Sequence, residues 1–273
     1  SKEESKYMAD RYEQQTFEFA PKKTIKGYPE LHWTGKRPFK STVYYPAQLK
    51  ESYGEGKPFT DDEGKTQTWL NKIFWGDNLQ VMSHLLRDFR GKVDLIYIDP
   101  PFDSKADYKK KIKLKGQTVF NDTSTFEEKQ YGDIWTNDEY LQFMYERLII
   151  LRELLSDTGS IYLHCDWHKS HYLRILMDEV FGVNNFINEI AWCYKSGGSG
   201  ERGYAKKHDT ILVYCKTKNY IFNPLKEKSY MFPWSGENPA QTYYKDDKGR
   251  YTLVSVKDYW TDIGMIATSS FER

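Results

Sequence analysis

Hydrophobic and polar positions fall into regular periods only from Trp69 onward. Residues 1–68 are rich in Lys, Tyr, Pro and Gly, as in GYPELHWTGKRPFKSTVYYP, and show no steady period. They predict an irregular amino-terminal extension packed on the rest. KIFWGDNL (72–79) predicts a short strand and a turn. Leu79, Met82, Leu85, Leu86 and Phe89 then recur at three- and four-residue steps. That spacing predicts a helix, and Gly91 is placed to close it. KVDLIYID (92–99) is a short, nearly continuous apolar run, the pattern of a strand buried on both faces. Thr136 and Glu139 have capping-box spacing, and Leu141, Met144, Leu148, Leu151 and Leu155 follow along one helical face. SIYLHCD (160–166) predicts a second buried strand, and SHYLRILMDEVFG (170–182) a helix ended by Gly182. NEIAWCY (188–194) and DTILVYCK (209–216) predict two more strands, joined by KSGGSGERGYAKKH (195–208).

Buried strands alternating with helices predict an α/β fold with a doubly wound, mostly parallel sheet, whose order the last pair of strands is placed to break. Three segments follow: the extension over 1–68, a core over 69–194, and a region over 195–273 that adds at least one further core strand. No internal repeat is visible.

Composition narrows the picture. The net charge is +1, so any nucleic-acid footprint is a local patch and not the whole surface. Aromatic residues make up 16% of the chain, including 22 Tyr and 8 Trp, which suits both stacking surfaces and ordinary cores. Cys165, Cys193 and Cys215 lie far apart in apolar runs, without a CxxC pair. They read as buried free thiols, with no metal site or disulfide framework. The polar start, SKEESKYMADRYEQQ, does not read as a signal peptide, and no apolar run reaches membrane-spanning length. The expectation is a cytoplasmic protein with no membrane partner.

The candidate chemistry lies where KVDLIYID ends in Asp99, Pro100, Pro101 and Phe102. In open α/β sheets ligands bind beyond the carboxyl ends of the strands. A proline lacks an N–H and holds the residue before it extended, so Asp99 and Pro100 are both fixed. The loop offers a carboxylate, carbonyl oxygens that only accept, and a flat ring. That set suits the exocyclic amine of a nucleobase. Asp99 can accept one N–H and the Pro100 carbonyl the other, directing the nitrogen lone pair outward. Phe102 can stack on the base. A base held so has left the double helix, which calls for base flipping.

Other residues admit two readings. Asp77 is a helix N-cap or a ligand contact, and both roles can hold together. His164 and Asp166 end SIYLHCD, where they line the site or belong to the core. His208 and Asp209 open a strand and read as structural, and Trp135 reads as packing. Lys109, Lys110 and Lys111, in a Lys-rich run after the loop, and Lys195, Lys206 and Lys207, around the Gly-rich segment 197–200, are solvated charge or phosphate contacts.

From about Lys72 to Phe271 the sequence resembles the beta class of DNA amino-methyltransferases. The resemblance rests on WGDNLQVM, YIDPPFDS, GDIWTNDEYLQFMYERL, GSIYLHCDWHKSHYLRILMDEVFG, FINEIAWCYKSGG with KHDTILVYCK, and DYWTDI, in that order. It implies methyl transfer from S-adenosylmethionine to an amino group in double-stranded DNA, within a restriction-modification system. It makes Asp99, Pro100, Pro101 and Phe102 the catalytic loop and sets Asp77 and Asn78 against the cofactor. Asp at the first catalytic position points to adenine N6, while cytosine N4 enzymes more often have Ser there. An endonuclease subunit and a second copy of the chain are the candidate partners. The family's Phe-x-Gly-x-Gly-like cofactor turn does not occur, so the chain reads as the amino-terminal part of such an enzyme, with part of the cofactor pocket absent. Three alternatives stay open: a DNA-binding fragment without turnover, an N4-cytosine enzyme, and an enzyme acting on RNA or a protein amide.

Overall fold

The structure is a computed structural model describing residues 15–20, 26–53, 59–60, 64, 66–67, 71–101, 107–110, 128–132, 136–194, 202–230, 236 and 240–263. In chain order its strands are β1 (Thr16–Glu18), β2 (Ser41–Val43), β3 (Phe59–Thr60), β4 (Thr66–Gln67), β5 (Val93–Ile98), β6 (Asp107–Lys110), β7 (Glu128–Gly132) and β8 (Leu155–Cys165). They continue as β9 (Phe186–Cys193), β10 (His208–Cys215), β11 (Lys226–Tyr230), β12 (Tyr244–Asp246), β13 (Gly249–Ser255) and β14 (Tyr259–Trp260). The helices among these residues are α1 (Asn78–Phe89), α2 (Asn137–Leu154), α3 (Ser170–Phe181) and a single 3-10 turn at Val183–Asn185. The chain divides into two compact units, Ser1–Asp94 with Thr136–Ser156, and Leu95–Trp135 with Asp157–Arg273.

In the first unit α1 packs on α2. The capping box expected at α2 is present: the Glu139 N–H donates to Thr136 Oγ1 at 3.4 Å, and the Thr136 N–H to Glu139 Oε2 at 3.1 Å. These bonds hold the Glu139 carboxyl below its ordinary range. Tyr140, Leu141, Met144, Leu148 and Leu151 are all buried, as their spacing requires. Gly91 follows α1 at φ +69, and its N–H donates to the Glu153 carbonyl at 2.8 Å. β1 and β2 pair antiparallel, and Phe17, Phe19 and Trp33 are buried in the same unit. Residues 71–77 form no strand, contrary to the expectation for KIFW. Ile73 is 98% exposed and Trp75 96%. Phe74 meets the His84 ring, but a strand also needs a neighbour to pair with.

The second unit centres on a five-stranded sheet in the order β14-β9-β10-β8-β5. β14 runs parallel to β9, whereas β10 is antiparallel to both β9 and β8. The last pair of predicted strands thus does break the parallel order. On one face Ile190, Ile211 and Val213 form a buried cluster with Tyr162, Ile187 and Trp260 against it. α3 belongs with the other face through Leu173, Leu176, Met177 and Val180, all buried, and the Tyr214 hydroxyl donates to Asp178 Oδ1 at 2.7 Å. Gly182 ends α3 at φ +99, a conformation that favours glycine. β5 departs from its predicted burial on both faces: Ile96 is buried, but Leu95 is 64% exposed and Tyr97 is also exposed. β5 is the last strand of the sheet among the described residues, so the apolar run packs on one side only. A separate three-stranded antiparallel sheet has the order β11-β13-β12.

Cys165 and Cys215 are buried free thiols and Cys193 is half-buried. Among the described residues no His, Cys, Asp and Glu gather into a metal-holding group, and no helix is long and apolar enough to cross a membrane.

Candidate active site

Three strands of the second unit bring ionisable residues to one place. Asp99 follows the last residue of β5, His164 is the penultimate residue of β8, and Asp209 is the second residue of β10. The register sets Ile211 opposite His164. Because side chains alternate, Asp209, two residues before Ile211, lies on the same face as the imidazole. Trp192, opposite Asp209 on β9, joins them there.

The geometry is a bridge. His164 Nδ1 lies 3.1 Å from Asp99 Oδ1 and Nε2 lies 3.4 Å from Asp209 Oδ2, the first a hydrogen bond, the second an ion-pair contact. The His164 side chain is 7% exposed and Asp99 is 57% exposed. The ring sits 5.5 Å from Trp192, centroid to centroid, and the Tyr194 hydroxyl donates to Asp209 Oδ1 at 3.3 Å. Burial works against a charge on His164, but bonds and charges from Asp209 and Asp99 outweigh it and raise the imidazole to about 9. Raised so, it carries its proton at neutral pH, with Nδ1 hydrogen-bonded to Asp99 and Nε2 in ion-pair range of Asp209. Burial, then the carboxylates of Asp99 and Asp209, push the Tyr97 phenol up. Burial also pushes the Cys165 thiol up, which leaves it inert as a nucleophile.

Pro100 and Pro101 follow Asp99 and are half-buried, so two consecutive residues without an N–H extend from the sheet's carboxyl edge beside the bridge. Phe102 and Trp135 lie outside the described residues, as do Lys111, Lys195 and the Gly-rich segment 197–200. Lys109 and Lys110 belong to β6, which pairs antiparallel with β7. Lys206 Nζ sits 3.1 Å above the ring centre of Trp167, and the Lys207 carbonyl accepts the Tyr194 N–H at 3.0 Å. His168 Nδ1 lies 2.6 Å from Asp166 Oδ2, so Asp166 engages its own turn and not the bridge.

Asp77 and Asn78 belong to the first unit. Asp77 Oδ1 accepts the Leu79 N–H at 3.0 Å and the Gln80 N–H at 3.1 Å, a full N-cap of α1. Its other oxygen lies 3.5 Å from Arg147, whose Nε donates to Asn78 Oδ1 at 2.7 Å. Arg147 also stacks 3.4 Å over Phe143. Asp77 remains half-exposed. A carboxylate has about four acceptor sites, so capacity for a hydroxyl or amine donor is left.

Sequence reasoning misses Arg147 and reads Asp209 as structural. Nothing local marks Arg147, whose partners are 69 and 70 residues away in sequence. Asp209 and His164 have a signal: each is an ionisable residue within an apolar run, and such a group seeks a charged partner.

Comparison with known proteins follows the same residues. The chain is similar to the type II methyltransferase M.EcaI of Enterobacter cloacae, 33% identical over 79% of this chain and 45% of that protein. It is also 33% identical to the Mod subunit of the type III restriction-modification enzyme StyLTI of Salmonella typhimurium strain LT2, over 60% of this chain and 28% of that protein. The chain therefore spans less than half the length of either relative. Among solved structures it is similar to M1.HpyAVI at 13% identity and a TM-score of 0.38, over 73% of this chain and 69% of that one, a likeness too distant to bear on the fold. Residues 93–266, which contain Asp99, His164 and Asp209, match the sequence model of the DNA methylase family, and the chain belongs to that family.

Proposed function

We propose that this chain provides the catalytic loop of a restriction-modification DNA methyltransferase acting on the exocyclic N6 amine of a flipped adenine. The observation that supports this most is the Asp99-Pro100-Pro101 segment leaving the carboxyl edge of the sheet, with the carboxylate held by the buried His164 imidazole. Asp99 accepts one N–H of the amine and the Pro100 carbonyl accepts the other. Two acceptors on one side favour a tetrahedral nitrogen with its lone pair aimed away from the loop. Phe102 stacks on the base, a contact worth about 1–3 kcal/mol. Bound S-adenosylmethionine supplies an electrophilic methyl group. The acceptor capacity left on Asp77 fits a donor of its adenosine part, and Asn78 helps fix that cap through Arg147. As the C–N bond formed, the methyl–sulfur bond would break with its electron pair left on sulfur, and the proton lost by the amine would pass by way of Asp99 to solvent. Lys109, Lys110 and Lys111, with Lys195, Lys206 and Lys207, contact phosphates. The Salmonella relative, named as the Mod subunit of a restriction-modification enzyme, supports a restriction endonuclease subunit as partner.

Adenine is preferred over cytosine on the carboxylate at position 99. The test is product analysis after incubating the full-length protein with labelled S-adenosylmethionine and duplex DNA. Label in N6-methyladenine, lost in Asp99→Ala, is the expected result. Label in N4-methylcytosine would overturn the base assignment, and undiminished transfer by Asp99→Ala would overturn the loop's role.

A further inference from the structure

The catalytic reading uses Asp99 and leaves unexplained why a buried histidine joins it to a second carboxylate on another strand. Neither contact follows from packing, because an apolar residue at position 164 would fill the sheet face without importing a charge. The surroundings are ionisable on every side: Asp99 and Tyr97 from β5, Asp209 from β10, Tyr194 at the end of β9 and Asp166 after β8. Among these, the imidazole faces the two carboxylates through opposite nitrogens.

We propose that His164, anchored by Asp209, is the positioning residue that fixes the orientation of Asp99 as the acceptor for the substrate amine. The inference rests on the activity proposed above, and three features support it. The bond from Nδ1 takes one oxygen of a carboxylate that is otherwise largely exposed and free to rotate. A carboxylate held through one oxygen keeps acceptor capacity for the amine, now in a fixed direction. Asp209 and the Trp192 ring hold the imidazole from the far side, so it cannot swing away with Asp99. The assembly of two carboxylates and one imidazolium has one net negative charge, which suits a methyl donor that is a cation.

The pH dependence has a definite sign. His164 gains its proton partners on folding and is raised from 6.5 to about 9, so the bridge is complete at neutral pH. It is lost as pH rises through about 9, because a neutral ring has no charge to pair with the two carboxylates and keeps only one N–H.

The first test uses the chain itself. In a nitrogen-15 NMR titration, His164 should stay doubly protonated through pH 8 and titrate near 9. His164→Asn identifies its signals by their disappearance. Asp209→Asn and Asp99→Asn should each lower the midpoint by about one unit or more. A midpoint at or below 6.5, or one that neither substitution moves, overturns the bridge. This measurement needs no methyl transfer, so it is decided apart from the activity. The second test follows transfer by the full-length enzyme against pH. His164→Asn keeps a donor near the Nδ1 position but not the charge. It should lower kcat about tenfold with little change in KM for DNA and remove the fall near pH 9. Asp209→Asn, equal in size to the native residue, should lower kcat in the same direction and serves if His164→Asn does not fold. Reduced stability with an unmoved pH profile overturns the positioning role. Absence of transfer by the wild type refutes the activity and with it that role, while the titration still decides the bridge.

Discussion

At the scale of single residues, Asp77 separates two roles that the sequence leaves superimposed. Its Oδ1 closes the amino end of α1 through two N–H bonds, while Oδ2 faces Arg147. Capping needs only an oxygen acceptor, which an amide also offers, so Asp77→Asn should keep α1 intact. Holding a donor from S-adenosylmethionine needs the charge or the second oxygen. Asp77→Asn should therefore leave thermal stability within about 0.5 kcal/mol of wild type and weaken cofactor binding in the full-length protein. Asp77→Ala should lose about 1 kcal/mol of stability as well. Chemical denaturation with calorimetric titration of S-adenosylmethionine separates the two. Equal cofactor affinity for wild type and Asp77→Asn would leave Asp77 with the cap alone.

At the scale of elements, what was legible in the sequence is what local periodicity and end signals encode. α2 announces itself through Thr136 and Glu139 and a row of leucines, and α3 through its apolar spacing and Gly182. β8 and β10 are buried over most of their length, as their apolar runs imply. Pairing is less legible. β5 is richer in apolar residues than β8, yet Leu95 lies exposed while Leu163 is wholly buried, because composition does not say which face of a strand is covered. Residues 72–75 hold a short apolar run like a strand's without becoming one. The Asp99–Phe102 segment could be singled out because its residues are contiguous in the chain. The His164 bridge could not, because its members are separated by 65 and 45 residues and meet only through strand order. The difference between β5 and β8 is measurable. Leu163→Ala should cost about 2–5 kcal/mol, and Leu95→Ala well under about 1 kcal/mol in this chain. Urea unfolding of the two variants checks it, and a cost for Leu95→Ala as large as that for Leu163→Ala would mean that β5 is covered on its second face.

At the scale of the whole molecule, the charge balance constrains how DNA can be held. With 40 Lys and Arg against 39 Asp and Glu, the chain has no general attraction for a polyanion, and the bridge at the site is itself net negative. Affinity for the phosphate backbone must come from a concentrated patch. The run Lys109, Lys110 and Lys111 follows the Asp99–Phe102 segment in the chain, beside which the proposed function would bring the DNA backbone. Each lysine on a phosphate displaces a condensed counterion, which makes binding steeply salt-dependent. Replacing all three by Gln should weaken cognate and random duplexes about equally, since phosphates have no sequence. It should also flatten the plot of log affinity against log salt by roughly 0.9 for each phosphate that no lysine neutralises any longer, or up to about 3 in slope for the triple variant. Lys206 is a weaker candidate, because its ammonium is already placed over Trp167. Its replacement by Gln should change the slope by less than any one of the three. Binding isotherms over a salt series with both duplexes measure these slopes. An unchanged slope in the triple variant would assign the run to solvated surface and move the search for the backbone contacts to the Lys195–Lys207 segment.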